Sequence, residues 1–141
     1  MTAEAFCDTN IWVYAASSDV REAKKKNRSL EIIHSQIVGV STQVLQEFYV
    51  TVTRKIAVPM APSEALQWIE SMEAFPLVAV DGNIVKVGIG NSIAHQISYW
   101  DGAIIAATEQ LGCPILYSED LNALQQFGSV QVVNPYADIE S

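Results

Sequence analysis

Short apolar runs alternate along this chain with longer segments of helical periodicity, and this alternation constrains the fold more than any other feature. Ala5-Phe6-Cys7, Gln36-Ile37-Val38-Gly39-Val40, Leu77-Val78-Ala79-Val80, Pro114-Ile115-Leu116-Tyr117 and Val130-Gln131-Val132-Val133 read as five strands. Between them the spacing predicts helices. One begins near Ile11, with Thr9 or Asn10 as its cap. A charged surface helix spans 20–35, and a third runs over about 42–56, where Val44, Leu45, Phe48, Val52 and Ile56 recur at helical spacing. Pro59 and Pro62 break the chain before Ser63 and Glu64 open a fourth helix. A fifth, near 83–95, is weakened by Gly88 and Gly90, and a small-residue helix follows from Gly102 to Ala107. Strict alternation implies a parallel sheet with helices on both faces, an α/β fold of three layers. No repeat, low-complexity segment or linker interrupts it, so a single domain over 1–141 is expected.

In open sheets of this type, ligands bind at the carboxyl ends of the strands. The acidic residues are informative by where they fall relative to those ends. Asp8 ends the first strand, and Asp120 follows the fourth. Asp101 starts the buried helix that leads into the fourth, and Glu47 lies about one turn into the helix after the second. Each has apolar neighbours: Phe6 and Ile11, Leu116 and Leu121, Trp100 and Ile104, Leu45 and Phe48. Two carboxylates about 5 Å apart repel by roughly 3 kcal/mol at an effective dielectric of about 20. Four such groups either protonate in part or gather a cation. Oxygen-only donors favour a hard ion, Mg²⁺ or Mn²⁺, and such an ion suits phosphodiester hydrolysis.

Other chemistries find little support. Cys7 and Cys113 show no C-x-x-C spacing and lie far from His34 and His95, which argues against zinc. Both cysteines sit in apolar strand-like settings and read as buried, inert thiols. No apolar run is long enough to span a membrane, and the early Glu4 without a basic leader does not read as a signal peptide. A cytoplasmic location is therefore expected. A formal charge of −8 is unusual for a nucleic-acid binder. The distribution softens this objection, since Arg21, Lys24, Lys25, Lys26 and Arg28 cluster in one stretch, and an acidic surplus in one pocket is what a metal site looks like before its ion is counted.

The same residues carry a resemblance. Asp8-Thr9-Asn10, Glu47 within Ser41–Phe48, Asp101 within Tyr99–Ala107, and Ser118-Glu119-Asp120-Leu121-Asn122 resemble the four motifs of PIN-domain ribonucleases, in order and each on its expected element. The nearest subgroup is the VapC-like toxins of type II toxin–antitoxin pairs, and the likeness extends to the closing Val132–Tyr136. The resemblance implies a PIN-like sheet of strand order 3-2-1-4-5 and a Mg²⁺- or Mn²⁺-dependent endoribonuclease. By position, Asp8, Glu47, Asp101 and Asp120 would be the catalytic, metal-holding acids, with Glu47 or Asp101 acting on the attacking water. Thr9 and Ser118 would hydrogen-bond the acids, and Asn10 would support the turn. It further implies an RNA substrate, an antitoxin partner and a homodimer. A non-catalytic scaffold or a housekeeping nuclease on the same fold is the alternative. A haloacid-dehalogenase-type phosphatase would need a second Asp where Asn10 stands. Two departures from the pattern are notable: Gly102, where Ala is commoner, is expected to loosen that helix start, and Asn122, where some members carry Asp, argues for one firm metal site with a weaker second.

Outside the acids, Arg21, Lys24, Lys25, Arg28 and Arg54 are candidate contacts for RNA phosphates, the alternative being solvated helix faces and, for Arg54 with Lys55, a helix C-terminus. Glu119 should point away from Asp120, towards solvent. Trp12 and Tyr14 read as core rather than as base-stacking groups. Trp68, Met72 and Phe75 form an apolar stripe that is core, with some surface that an antitoxin peptide could use.

Overall fold

The computed structural model describes residues 3–139. Among the described residues, six strands and six α-helices follow in the order β1 (Ala5–Cys7), α1 (Thr9–Ala16), α2 (Ala23–Ser35), β2 (Val38–Ser41), α3 (Thr42–Val50), α4 (Pro62–Met72), β3 (Leu77–Val78), α5 (Gly82–His95), α6 (Tyr99–Gln110), β4 (Ile115–Tyr117), β5 (Gln126–Phe127) and β6 (Val130–Val133). The sheet runs β3-β2-β1-β4-β6-β5, parallel throughout except for the last pair. The five predicted strands take the expected 3-2-1-4-5 order. What the sequence reading lacks is β5, a two-residue antiparallel edge, too short to show an alternation. The expected α/β/α class stands.

The central strands read as apolar because they are covered on both faces. All of β1 and β2 is buried, and Phe6, Val38, Val40 and Leu116 have no exposed surface. Helix caps follow the strand ends. Ser41 accepts from the Val44 amide at 3.3 Å and opens α3 directly after β2. For α1 the cap is Asp8 itself rather than Thr9 or Asn10: its Oδ1 accepts from the Thr9 amide at 2.7 Å. Helix α3 does not continue regularly to 56. Its last part, Thr51–Lys55, widens into a π-helical turn. The 20–35 segment starts as a 3-10 turn over Val20–Glu22 before α2 begins.

The α5–α6 pair is held by glycines. Gly88 and Gly102 are both buried, and a Cβ on Gly102 would run into the Gly88 carbonyl oxygen. A Cβ on Gly88 would lie 3.0 Å from the Ala103 Cα. The Asn91 amide adds a 3.0 Å hydrogen bond to the Gly102 carbonyl. Gly102 thus tightens the start of α6, where a loosening was expected: without a Cβ, α6 closes on α5 backbone to backbone. Both cysteines are buried, as expected, and burial pushes the Cys113 thiol up to about 11. Trp12 packs edge-on against Phe75, with ring centroids 5.2 Å apart, and Met72 is fully buried. Among the described residues, no helix is long and apolar enough to cross a membrane.

Gly102→Ala should therefore destabilise the fold by about 1–3 kcal/mol through overpacking. Gly90→Ala, in the same hairpin but facing open space, should stabilise it by roughly 0.5–1 kcal/mol. Urea unfolding of both variants checks the contrast; equal effects would refute the close-packing account.

Candidate active site

The carboxyl edge of β1 and β4 is where the acids meet. The Asp8 amide donates to the Tyr117 carbonyl at 3.0 Å, which carries the parallel ladder to the last residue of each strand. The next side chain on the β4 side is Ser118, and its hydroxyl donates to Asp8 Oδ2 at 3.0 Å. The same oxygen accepts from the amides of Asp120 and Leu121, both at 3.3 Å. A serine hydroxyl has one proton and two lone pairs, and here all are used. Ser118 thereby fixes both the Asp8 carboxylate and the turn that carries Asp120.

Helix α1 supplies the other holders. Thr9 Oγ1 donates to Glu47 Oε1 at 2.7 Å, and Asn10 Nδ2 donates to Asp120 Oδ2 at 3.1 Å. Asn10 thus reaches an acid directly instead of only supporting the turn. Asp101 sits in the first turn of α6, its amide donating to the cap oxygen of Ser98 at 3.1 Å. Asp8, Glu47, Asp101 and Asp120 all line one cavity of about 460 Å³. Asp8 lies deepest, at 8% exposure, Glu47 and Asp101 are half-buried, and Asp120 is exposed.

Burial pushes the Asp8 carboxyl up to about 6, and Glu47 and Asp120 push the same way against the hydrogen bonds from Thr9 and Ser118. Asp101 is also raised, first by burial and then by Asp120 and Glu47, with Ser98 opposing. The four groups therefore share one field, and a hard cation suits them in donor type and in charge. Their arrangement is less complete. Among the described residues, no group of three or more His, Cys, Asp or Glu side chains is disposed to hold a metal ion as the side chains stand. Glu47 and Asp120 are each directed towards a hydrogen-bond donor on α1.

The candidate basic residues lie elsewhere. Arg21 pairs with Asp19 at 2.8 Å, Lys25 with Glu119 at 2.6 Å, and Arg28 with Asp138 at 2.9 Å and with the Pro135 carbonyl at 2.5 Å. Lys24 and Arg54 are exposed, and neither borders the acid cavity. Glu119 does point away from Asp120, but not into free solvent. It accepts from Tyr14 Oη at 2.7 Å as well as from Lys25, whose ammonium lies 4.9 Å from the Tyr14 ring centroid. Tyr14 meets Tyr136 edge-on, so this cluster braces the 118–120 turn against α1 and α2.

Six lining residues lie outside the sequence expectation, and three of them, Gln43, Lys55 and Trp100, bear on the chemistry of the cavity. Gln43 is buried, and its amide donates to the Trp100 carbonyl at 3.1 Å and to Glu47 at 3.4 Å. Its i, i+4 relation to Glu47 was the available signal. Lys55 lines the cavity from the π-helical turn, and its position depends on that irregular backbone. Trp100 also lines it, exposed, where adjacency to Asp101 suggested only an apolar neighbour.

Comparison with known proteins gives a family model, described as the PIN domain, that matches residues 5–128. Solved structures give likenesses of fold. VapC20 of Mycobacterium tuberculosis, described as a sarcin–ricin loop cleaving toxin, is 20% identical with a TM-score of 0.65, over 82% of this chain and 89% of that one. A chain of a toxin–antitoxin complex from Klebsiella pneumoniae is 14% identical with a TM-score of 0.70, over 94% and 98%. VapBC2 of Rickettsia felis, bound to a promoter DNA fragment, gives 12% and 0.59, over 91% and 96%. Among curated proteins, no sequence matches significantly.

Two outcomes follow from this geometry. Because Asp8 is raised from 3.8 to about 6, the folded chain holds its proton where the unfolded chain has lost it, so the stability linked to Asp8 is full below pH 4 and lost as pH rises through 6. In chelator, urea midpoints should fall over that range by the equivalent of about 3 kcal/mol, and Asp8→Asn should remove most of the slope. A wild-type chain as stable at pH 7 as at pH 4 would contradict the assignment. Lys25→Met, which leaves Glu119 half-buried beside Tyr14 without its cation, should cost about 1–2 kcal/mol in the same assay.

Proposed function

The chain belongs to the PIN domain family, and from that premise we propose that it is a divalent-metal-dependent endoribonuclease and the toxin of a toxin–antitoxin pair. The observation that carries the reading is the single cavity lined by Asp8, Glu47, Asp101 and Asp120, with the deepest carboxyl pushed up by burial and by its neighbours. An acidic cavity of this kind has little use for an anionic RNA until a cation offsets it.

In this reading Asp8, Asp101, Asp120 and Glu47 hold Mg²⁺ or Mn²⁺. When bound, such an ion supplies Lewis acidity towards a phosphate oxygen. The residues of the chain supply the rest. Ser118 and the Thr9 amide hold Asp8 in one orientation and Asn10 holds Asp120, an arrangement that typically raises metal affinity about 10- to 100-fold. Asp101 takes the proton of the attacking water as its oxygen bonds to phosphorus and the leaving P–O bond breaks, the departing oxygen taking a proton from solvent. Asp101 suits this role because burial and its acidic neighbours raise its proton affinity. Glu47 already accepts from Thr9 and Gln43, and so orients the water. Lys24 and Arg54, without ion-pair partners among the described residues, remain for phosphates away from the cavity, whereas Arg21, Lys25 and Arg28 are engaged within the chain.

The structural likenesses to toxin–antitoxin complexes support an antitoxin as partner, and a cytoplasmic homodimer is the form in which we expect the protein to work. One observation favours a second reading, a non-catalytic scaffold on this fold: no acid triad is already disposed around a common point.

Incubation with RNA separates the two. Cleavage should require Mg²⁺ or Mn²⁺, stop in EDTA, and fall by about 100-fold or more in Asp8→Asn and in Asp101→Asn. RNA that binds tightly but stays intact with either metal would favour the scaffold. Full cleavage by either variant would refute the site.

A further inference from the structure

The chain's three tryptophans occupy different environments. Trp12 is buried against Phe75, and Trp68 is half-buried beside Phe48, with ring centroids 6.3 Å apart. Trp100 leaves 62% of its surface exposed. An indole is among the largest apolar surfaces a side chain can show to water, and this one is open at a residue that lines the acid cavity.

Trp100 is firmly placed. It sits in the first turn of α6, its carbonyl accepts from buried Gln43, and its ring meets Tyr99 edge-on at 5.0 Å between centroids. That helix start is clamped to α5 by the Gly88–Gly102 contact. Trp100 is one of the residues that line the acid cavity, next in sequence to Asp101. Lys55 lines the same cavity from the π-helical turn, exposed and without an ion-pair partner among the described residues. The cavity thus combines a π surface, a cation and a row of carboxylates.

We propose that Trp100 is the platform on which an unpaired nucleobase of the RNA stacks, while Lys55 takes a phosphate of the same strand. The proposal rests on the nuclease reading and adds to it two residues that bind the substrate, one by stacking and one by charge. In a duplex both faces of each base are covered by neighbours, so a base can reach Trp100 only from a single strand, loop or bulge. Stacking is tolerant of base identity, so the platform selects for unpairedness more than for sequence. Lys55 is the complementary cation, since an acidic cavity alone would hold a base without steering its backbone. A protein partner covering the same indole is the competing occupant. The position at the cavity, beside Asp101 and together with the cation Lys55, favours the base.

The test uses the full-length chain. In an Asp8→Asn background with Mg²⁺, so that the strand stays uncut, a single-stranded oligoribonucleotide should quench tryptophan emission, and the same sequence as a duplex should not. Trp100→Phe should abolish most of the quenching while keeping affinity within about 3-fold, and Trp100→Ala should weaken binding by about 5- to 100-fold. In the otherwise wild-type enzyme, Trp100→Ala should raise KM by a similar factor, with the loss falling on KM more than on kcat. Lys55→Met should weaken binding and flatten its salt dependence. Unchanged quenching and KM in Trp100→Ala, with an altered oligomeric state instead, would assign the ring to a protein partner and overturn the proposal. A duplex that binds and quenches as well as the single strand would overturn it too. If the wild-type chain cuts no RNA, the nuclease reading fails, and the quenching measurement still decides whether Trp100 binds a base.

Discussion

The buried carboxyl of Asp8 is the group on which the carboxyl edge of the sheet depends. Among the described residues, no other Asp, Glu, Lys or Arg is buried to this degree. A lone carboxylate in that position is tolerable only with strong donors, and the chain provides two, the first amide of α1 and the Ser118 hydroxyl. Those two contacts fix the relation of β1 to the β4 turn and the direction in which α1 leaves the sheet. From α1, Thr9 and Asn10 then reach Glu47 and Asp120. One desolvated acid thus organises two others, Glu47 and Asp120, through hydroxyl and amide donors, and its raised proton affinity shows that the donors only partly offset its burial.

Asp101 reaches the cavity by a different route. No side chain of α1 holds it. It depends on where α6 begins, and that is set by the missing Cβ atoms of Gly88 and Gly102. The cavity therefore has two supports of different physical kind. On one side are polar contacts at strand ends, and on the other a dry helix–helix packing whose tolerance is a fraction of an ångström.

Much of this was legible in the sequence. The alternation of apolar runs and helical stripes carried the sheet, its five-strand order following from the family resemblance, and the placing of Asp8 and Asp120 after strands carried their meeting at one edge. Where the reading fell short, local pattern was absent or tertiary contacts decided. Two residues, Gln126 and Phe127, cannot show a strand period. Gly102 looked like a weakness because its partner, Gly88, lies 14 residues earlier and faces it only after the hairpin closes. Lys25 and Arg28 read as phosphate contacts because their acidic partners, Glu119 and Asp138, lie about a hundred residues downstream. Lys55 was placed at a regular helix end, and the π-helical turn carries it to the cavity instead.

The pairing of β1 with β4 has a consequence for the chain's synthesis. Asp8 and Ser118 are separated by 110 residues, and Asn10 and Asp120 by the same distance. The α5–α6 hairpin, by contrast, is built from local contacts that form early. While the chain is being made, Asp8 therefore waits beside an empty strand position until β4 and the turn after it have emerged. A product that stops before residue 120 cannot present the four carboxylates together. The cavity is therefore a late product of synthesis: it exists only once β4 has docked beside β1.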